Sequence, residues 1–149
     1  MIERIEADGV ELAIILRASF NEKGTHFFTP QHFSQQLGCM RHPKGHVIEA
    51  HVHNPVSRAV RYTQEALFLR RGRLRVDFYR SDGRYCESRE LSAGDVILLV
   101  SGGHGFEVLE EIEMVEVKQG PYLGDSDKTR IKGISAAEVK IRKPAKSSP

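Results

Sequence analysis

The chain is poor in cysteine: only Cys39 and Cys86 are present and they form no CxxC pair. A disulfide framework, a thiol redox centre and a zinc finger are therefore not expected. Long apolar runs are missing too, none approaching the roughly 18 residues of a membrane-spanning helix. The opening MIERIEADGV carries acidic groups where a secretory signal has basic residues and then an apolar stretch. The expected location is the cytoplasm, with no membrane partner. Internal repeats, a helix-turn-helix and amphipathic helices longer than a few turns are also absent from the pattern. A strong excess of one charge is lacking as well, since 22 basic and 20 acidic residues leave a net +2. Residues 1–127 carry 15 basic and 19 acidic groups, or −4, and the basic surplus comes from Lys128 onward. A basic surplus confined to one end, without an aromatic-studded basic face, argues against a nucleic-acid partner.

What remains is one domain of 149 residues, 40% apolar and 28% charged, a balance that disordered chains do not have. A chain of this length buries roughly 70% of its unfolded surface, so folding needs no structural metal and any metal would serve function. Residues 10–18 (VELAIILRA) read as a buried strand after the Asp8-Gly9 turn signal. Strands are also expected at 37–42, 46–53 (HVIEAHVH), 65–70, 73–80, 84–91, 96–100, 105–109 and 112–118, whereas 20–36 is irregular. The turns fall at Pro43–Gly45, Arg71-Gly72, Ser81–Gly83, Ala93–Asp95 and Gly102-Gly103, with a loop over 54–61. About nine short strands at regular spacing predict an all-β sandwich or barrel. The domain is expected over 1–134, followed by a short helix near 135–141 and a frayed basic tail to Pro149.

Four residues stand out chemically. His51 and His53, two apart on a predicted strand, leave the same face and suit one ion held between two imidazoles. Glu65 opens the next strand and His104 follows the Gly102-Gly103 turn, so a curled sheet would gather all four at its mouth. Three nitrogens and one carboxylate suit a divalent transition metal such as Zn, Mn, Fe, Ni or Co, with positions left open for water or substrate.

The order of these residues resembles the cupins. Their first motif runs glycine, five residues, His-x-His, a short gap, glutamate, six residues, glycine. Gly45, His51, His53, Glu65 and Gly72 follow it, with 11 residues in the gap instead of three or four. In the second motif Gly94, Asp95 and Gly102 match, Val100 stands where the family has proline, and His104 comes one residue early. The resemblance implies a double-stranded β-helix, or jelly-roll, barrel with His51, His53, Glu65 and His104 as metal ligands. Residues 116–131 (EVKQGPYLGDSDKTRI) are similar to the segment closing the cupin domain of bifunctional mannose-6-phosphate isomerases and guanylyltransferases. That likeness implies kinship to sugar-handling cupins, and hence a carbohydrate ligand.

Other residues carry secondary expectations. Glu49 shares the parity of His51 and His53 and would serve as acid or base beside the metal, or else as a rim salt bridge. Arg61, Arg73 and Arg75 would line a pocket for an anionic group such as phosphate, or else sit on a solvated face or pair with the acidic strand from Glu107 to Glu116. Tyr62 and Gln64 would touch substrate at the mouth, or simply pack. An open sheet edge would be covered by a second copy, giving a homodimer. The reading that follows is an isomerase or epimerase acting on a sugar phosphate or nucleotide-linked sugar, with Glu49, or Glu65 if it is not a ligand, as base. An iron-dependent dioxygenase and a non-catalytic carbohydrate-binding module are the alternatives.

Overall fold

The computed structural model describes residues 1–144; the end of the expected tail, 145–149, lies outside the described residues. The fold is all-β, as the strand spacing predicts. Its strands are β1 (Ile2–Ala7), β2 (Val10–Leu16), β3 (Gly24–Phe27), β4 (Gly38–Arg41), β5 (Glu65–Tyr79), β6 (Tyr85–Ser92), β7 (Val96–Leu99) and β8 (Gly103–Lys118). Six of them form one antiparallel sheet in the order β1-β2-β7-β5-β6, with β8 on the other edge of β5, while β3 and β4 pair separately. Among the described residues no helix is long and apolar enough to cross a membrane.

Asp8 and Gly9, at φ 52° and 75°, make the two-residue turn that joins β1 to β2. Positive φ at both positions matches the twist of the flanking strands. β2 is an unbroken apolar run because both its faces are covered. Leu12, Ala13 and Ile15 join Leu67, Leu74, Val76, Phe78 and Ile97 in the concave core. Ile14 and Leu16 pack outward against Leu37, Phe20, Phe28 and Phe33 from the 17–41 segment.

The sheet curls into a half-barrel because β5 bends. Leu67 and Leu69 face the core before the bend, Leu74, Val76 and Phe78 after it, so the inward parity switches from odd to even. Shifts in register against β8 between Leu69 and Leu74 absorb the switch. Gly72 sits there at φ 81°, and a Cβ on it would lie 2.0 Å from the Glu111 carbonyl oxygen. The sequence pattern predicts a turn at Arg71-Gly72 and separate strands at 105–109 and 112–118. In the structure β5 and β8 each run on unbroken, because each supplies the other's ladder through the bend.

The curl brings β1 against β6, the two ends of the strand order, through a seam of charge. Arg17 pairs with Glu3 and donates to Asp95 Oδ2 and the Glu90 carbonyl, both at 2.7 Å, and Arg89 reaches Glu3 at 3.2 Å.

Two further expected elements differ. Residues 46–53 form no strand: they lie in an exposed loop spanning 42–64, and Val47, Ile48 and Val52 are exposed. Alternation alone does not make a strand, which exists only where a neighbouring edge supplies hydrogen bonds. Near the C-terminus the helix expected at 135–141 is a three-residue 3-10 turn, Ala136–Glu138, capped by Ser135. Beyond it the backbone is held by β6, with Ser88 donating to the Lys140 carbonyl at 2.9 Å and Arg142 donating to the Ser88 carbonyl at 3.0 Å.

Candidate functional site

Glu65 and His104 are 39 positions apart in sequence, and the bend of β5 brings them together. Glu65 opens β5 opposite Leu99 of β7 and Lys118 of β8. His104, at the start of β8, lies opposite Phe78 near the other end of β5. Because β5 curls, its two ends approach across the mouth of the half-barrel, and His104 Nε2 stands 3.2 Å from Glu65 Oε2. Both side chains are partly buried, 29% and 19% exposed, so solvent reaches the pair without dissolving it. The hydrogen bond from His104 holds the Glu65 carboxyl below the usual carboxylate range against the opposing effect of burial, and Lys118 and Lys128 add to the lowering.

His51 and His53 stand elsewhere, in the 42–64 loop. Their rings are neighbours, with centroids 5.2 Å apart and planes at 80°. His51 Nδ1 donates to the Glu49 carbonyl at 2.8 Å, which leaves Nε2 as the lone-pair nitrogen of the neutral ring. The four expected ligands thus fall into two pairs, and among the described residues no group of three or more His, Cys, Asp or Glu side chains is arranged to hold a metal.

The remaining candidates separate by environment. The Glu49, Arg61 and Tyr62 side chains are exposed in the loop. Gln64 is buried and its polar atoms are engaged: its side-chain oxygen accepts from Ser34 Oγ at 3.1 Å and from the Gln35 N–H at 3.2 Å. Its own N–H donates to Gln119 Oε1 at 2.6 Å. Of the two expectations for Gln64 the structure shows packing, and it pins the end of the loop beside Glu65. Arg75 is on the opposite face of β5 from Val76 and is buried, donating to both Asp77 oxygens at 2.8 and 3.0 Å and pairing with Glu107 at 2.5 Å. Arg73 likewise pairs with Glu90 and with Glu110, at 2.5 and 3.2 Å. Pairing with the acidic strand is therefore what occupies both guanidinium groups.

Sequence reasoning missed Lys118, which sits opposite Glu65 and whose Nζ lies 5.5 Å from the centre of the Tyr122 ring. An antiparallel pairing of 112–118 with 65–70 was the signal that would have found it. A separate open cleft of about 350 Å3, lined by Phe20, His26 and Phe28 among others, contains none of the candidate residues.

Comparison with protein-family models, with curated proteins and with solved structures returns no match.

Proposed function

We propose that this chain is a cupin of the jelly-roll type that acts on a sugar phosphate or nucleotide-linked sugar in the cytoplasm, as an isomerase or epimerase. The observation that carries the reading is the Glu65–His104 contact at 3.2 Å, since each residue comes from one of the two cupin-like motifs. In this reading Glu49, or Glu65 where it is not a metal ligand, takes the proton from the substrate carbon, and the His104 N–H gives a separate proton to the neighbouring oxygen.

A divalent transition metal (Zn, Mn, Fe, Ni or Co) belongs to the proposal as a cofactor. The donor chemistry of His51, His53, Glu65 and His104 suits such an ion, but their placement in two separate pairs does not form one site. Binding would require the 42–64 loop, pinned at Gln64, to carry His51 and His53 to the mouth. Elemental analysis of the purified protein beside His51→Ala/His53→Ala tests this. Near-stoichiometric metal lost in the variant is the expected result, and a folded wild type without metal removes the cofactor from the reading.

The same separation of the two pairs favours a second reading, a carbohydrate-binding module without turnover. Conversion of sugar phosphates by wild type but not by Glu65→Gln supports the enzyme, and equal ligand binding without conversion supports the module. We further propose a homodimer formed along β8, whose outer edge pairs with no strand among the described residues.

A further inference from the structure

The turn between β1 and β2 and the turn between β5 and β6 flank an open cleft of about 250 Å3. It is distinct from the Glu65–His104 pair but close to it along the chain, since Arg80 lies two residues past Phe78, the residue opposite His104. Its floor is apolar, from Leu12 and Val10, and its rim is made of two arginine–aspartate pairs. Arg80 Nη1 lies 3.2 Å from Asp8 Oδ2, and Arg84 Nε lies 2.6 Å from Asp82 Oδ2. The Arg84 backbone N–H also donates to Asp82 Oδ1 at 3.0 Å, which fixes that carboxylate at the turn.

Three features narrow the ligand. Each guanidinium is matched by a carboxylate, so the rim has no net charge and offers an anion no Coulombic advantage. Each guanidinium nevertheless has five N–H donors, more than one carboxylate contact consumes, and each carboxylate retains acceptor capacity. The cleft is also small beside the roughly 300–1,000 Å3 of sites for drug-sized molecules, which suits a single ring.

A pyranose has the matching chemistry: hydroxyl groups around its edge that both donate and accept, and C–H groups on its faces. We propose that the cleft binds one neutral monosaccharide ring, its hydroxyls bridging the Arg80–Asp8 and Arg84–Asp82 pairs and its C–H face resting on Val10 and Leu12. The inference rests on the carbohydrate reading of the chain for its choice of a polyhydroxy ligand, but it uses neither Glu65, His104 nor the histidines of the loop.

The test is a titration of the 15N-labelled full chain with D-mannose, followed by amide shifts, with inorganic phosphate in a parallel series. Saturable shifts at Asp8, Val10, Ser81 and Arg84 are expected with mannose. Affinity should fall about tenfold or more in Arg80→Ala and in Arg84→Ala, each removing charge-assisted hydrogen bonds, and should hold in Glu65→Gln. The exposed Arg84 keeps the test decisive if Arg80→Ala does not fold. Saturation of these amides by phosphate and not by mannose overturns the proposal, as does the absence of any mannose-dependent shift there. Mannose shifts confined to the neighbourhood of Glu65 and His104 also overturn it while leaving the proposed function standing. Shifts at the cleft in a protein whose Glu65→Gln variant turns over like wild type do the reverse.

Discussion

Arg17 and Arg73 show how differently two arginines with carboxylate partners can matter. Arg17 is one-tenth exposed and is shared between Glu3 and Asp95, themselves nearly as buried. Removing it leaves Asp95 without a guanidinium partner and Glu3 with Arg89 alone, and the loss of one partner from a buried ion pair costs about 3–5 kcal/mol. Arg73 is 43% exposed, and ion pairs in such positions contribute little. Urea unfolding of Arg17→Ala and Arg73→Ala is expected to show this contrast, and equal losses would mean that the seam does not hold the curl. Glu65 permits a prediction in pH. Its carboxyl titrates below its unfolded value, so the pair contributes stability above the ordinary glutamate pKa and loses it as pH falls through the lower folded value. The difference in Tm between wild type and Glu65→Gln should therefore be largest near neutrality and shrink on acidification. A difference constant down to the acid limb would show that Glu65 is not held ionised by His104.

The bend of β5 depends on glycine for two separate reasons, which substitution can distinguish. Gly9 and Gly72 have similar positive φ, 75° and 81°, but nothing lies within 4 Å of a Cβ on Gly9, whereas one on Gly72 would collide with backbone of β8. Gly9→Ala should cost about 1–2 kcal/mol, the left-handed penalty alone. Gly72→Ala should add the cost of overpacking, about 1–3 kcal/mol more, and should reduce the curl that joins Glu65 to His104. Chemical denaturation measures the first effect, and the pH dependence described for Glu65 measures the second. The same bend explains what the sequence did and did not reveal. β2 and β7 are legible because their apolar residues face a core, and β6 is legible from the Ser81–Gly83 turn that sets it against 73–80, although it buries Glu87, Ser88 and Arg89. β5 and β8 were read as four strands because a glycine-marked bend resembles a turn when the partner strand is unknown. β1 was missed because its buried positions hold Glu3 beside Ile5, and a strand that buries a carboxylate against Arg17 and Arg89 does not alternate in hydropathy. Residues 46–53 erred in the opposite direction, with the alternation present and no edge to pair with. Within the site, Glu65 and His104 come together at 3.2 Å although each departs from the motif spacing, because the bend of β5 decides their approach. Arg75 took the other face of β5, where Asp77 and Glu107 occupy it.

The curl closes the molecule on one side by the charged seam, and on the other the outer edge of β8 pairs with no strand among the described residues. β8 is 16 residues long, and Phe106, Val108, Leu109, Val115 and Val117 are exposed along it. Charge commonly protects such an edge, yet the glutamates of β8 are turned to the arginines of β5: Glu113 to Arg70 at 2.9 Å, Glu111 to Arg71 at 3.0 Å and Glu107 to Arg75 at 2.5 Å. The proposed homodimer follows from the way this strand matches itself. Antiparallel pairing of two copies about Ile112 sets Ile112 opposite its twin and Leu109 opposite Val115, a self-complementary arrangement of the kind a twofold interface requires. The one like-charge meeting, Glu111 opposite Glu113, joins carboxylates that already have arginine partners. Light scattering on the eluting wild-type protein should then report twice the chain mass. Val115→Lys should give a monomer with unchanged secondary structure, because it places a cation opposite Leu109 at the pairing edge and disturbs nothing in the core. A wild type that elutes as a monomer removes the β8 dimer, and a dimer that survives both Val115→Lys and Leu109→Lys moves the interface to another surface of the barrel.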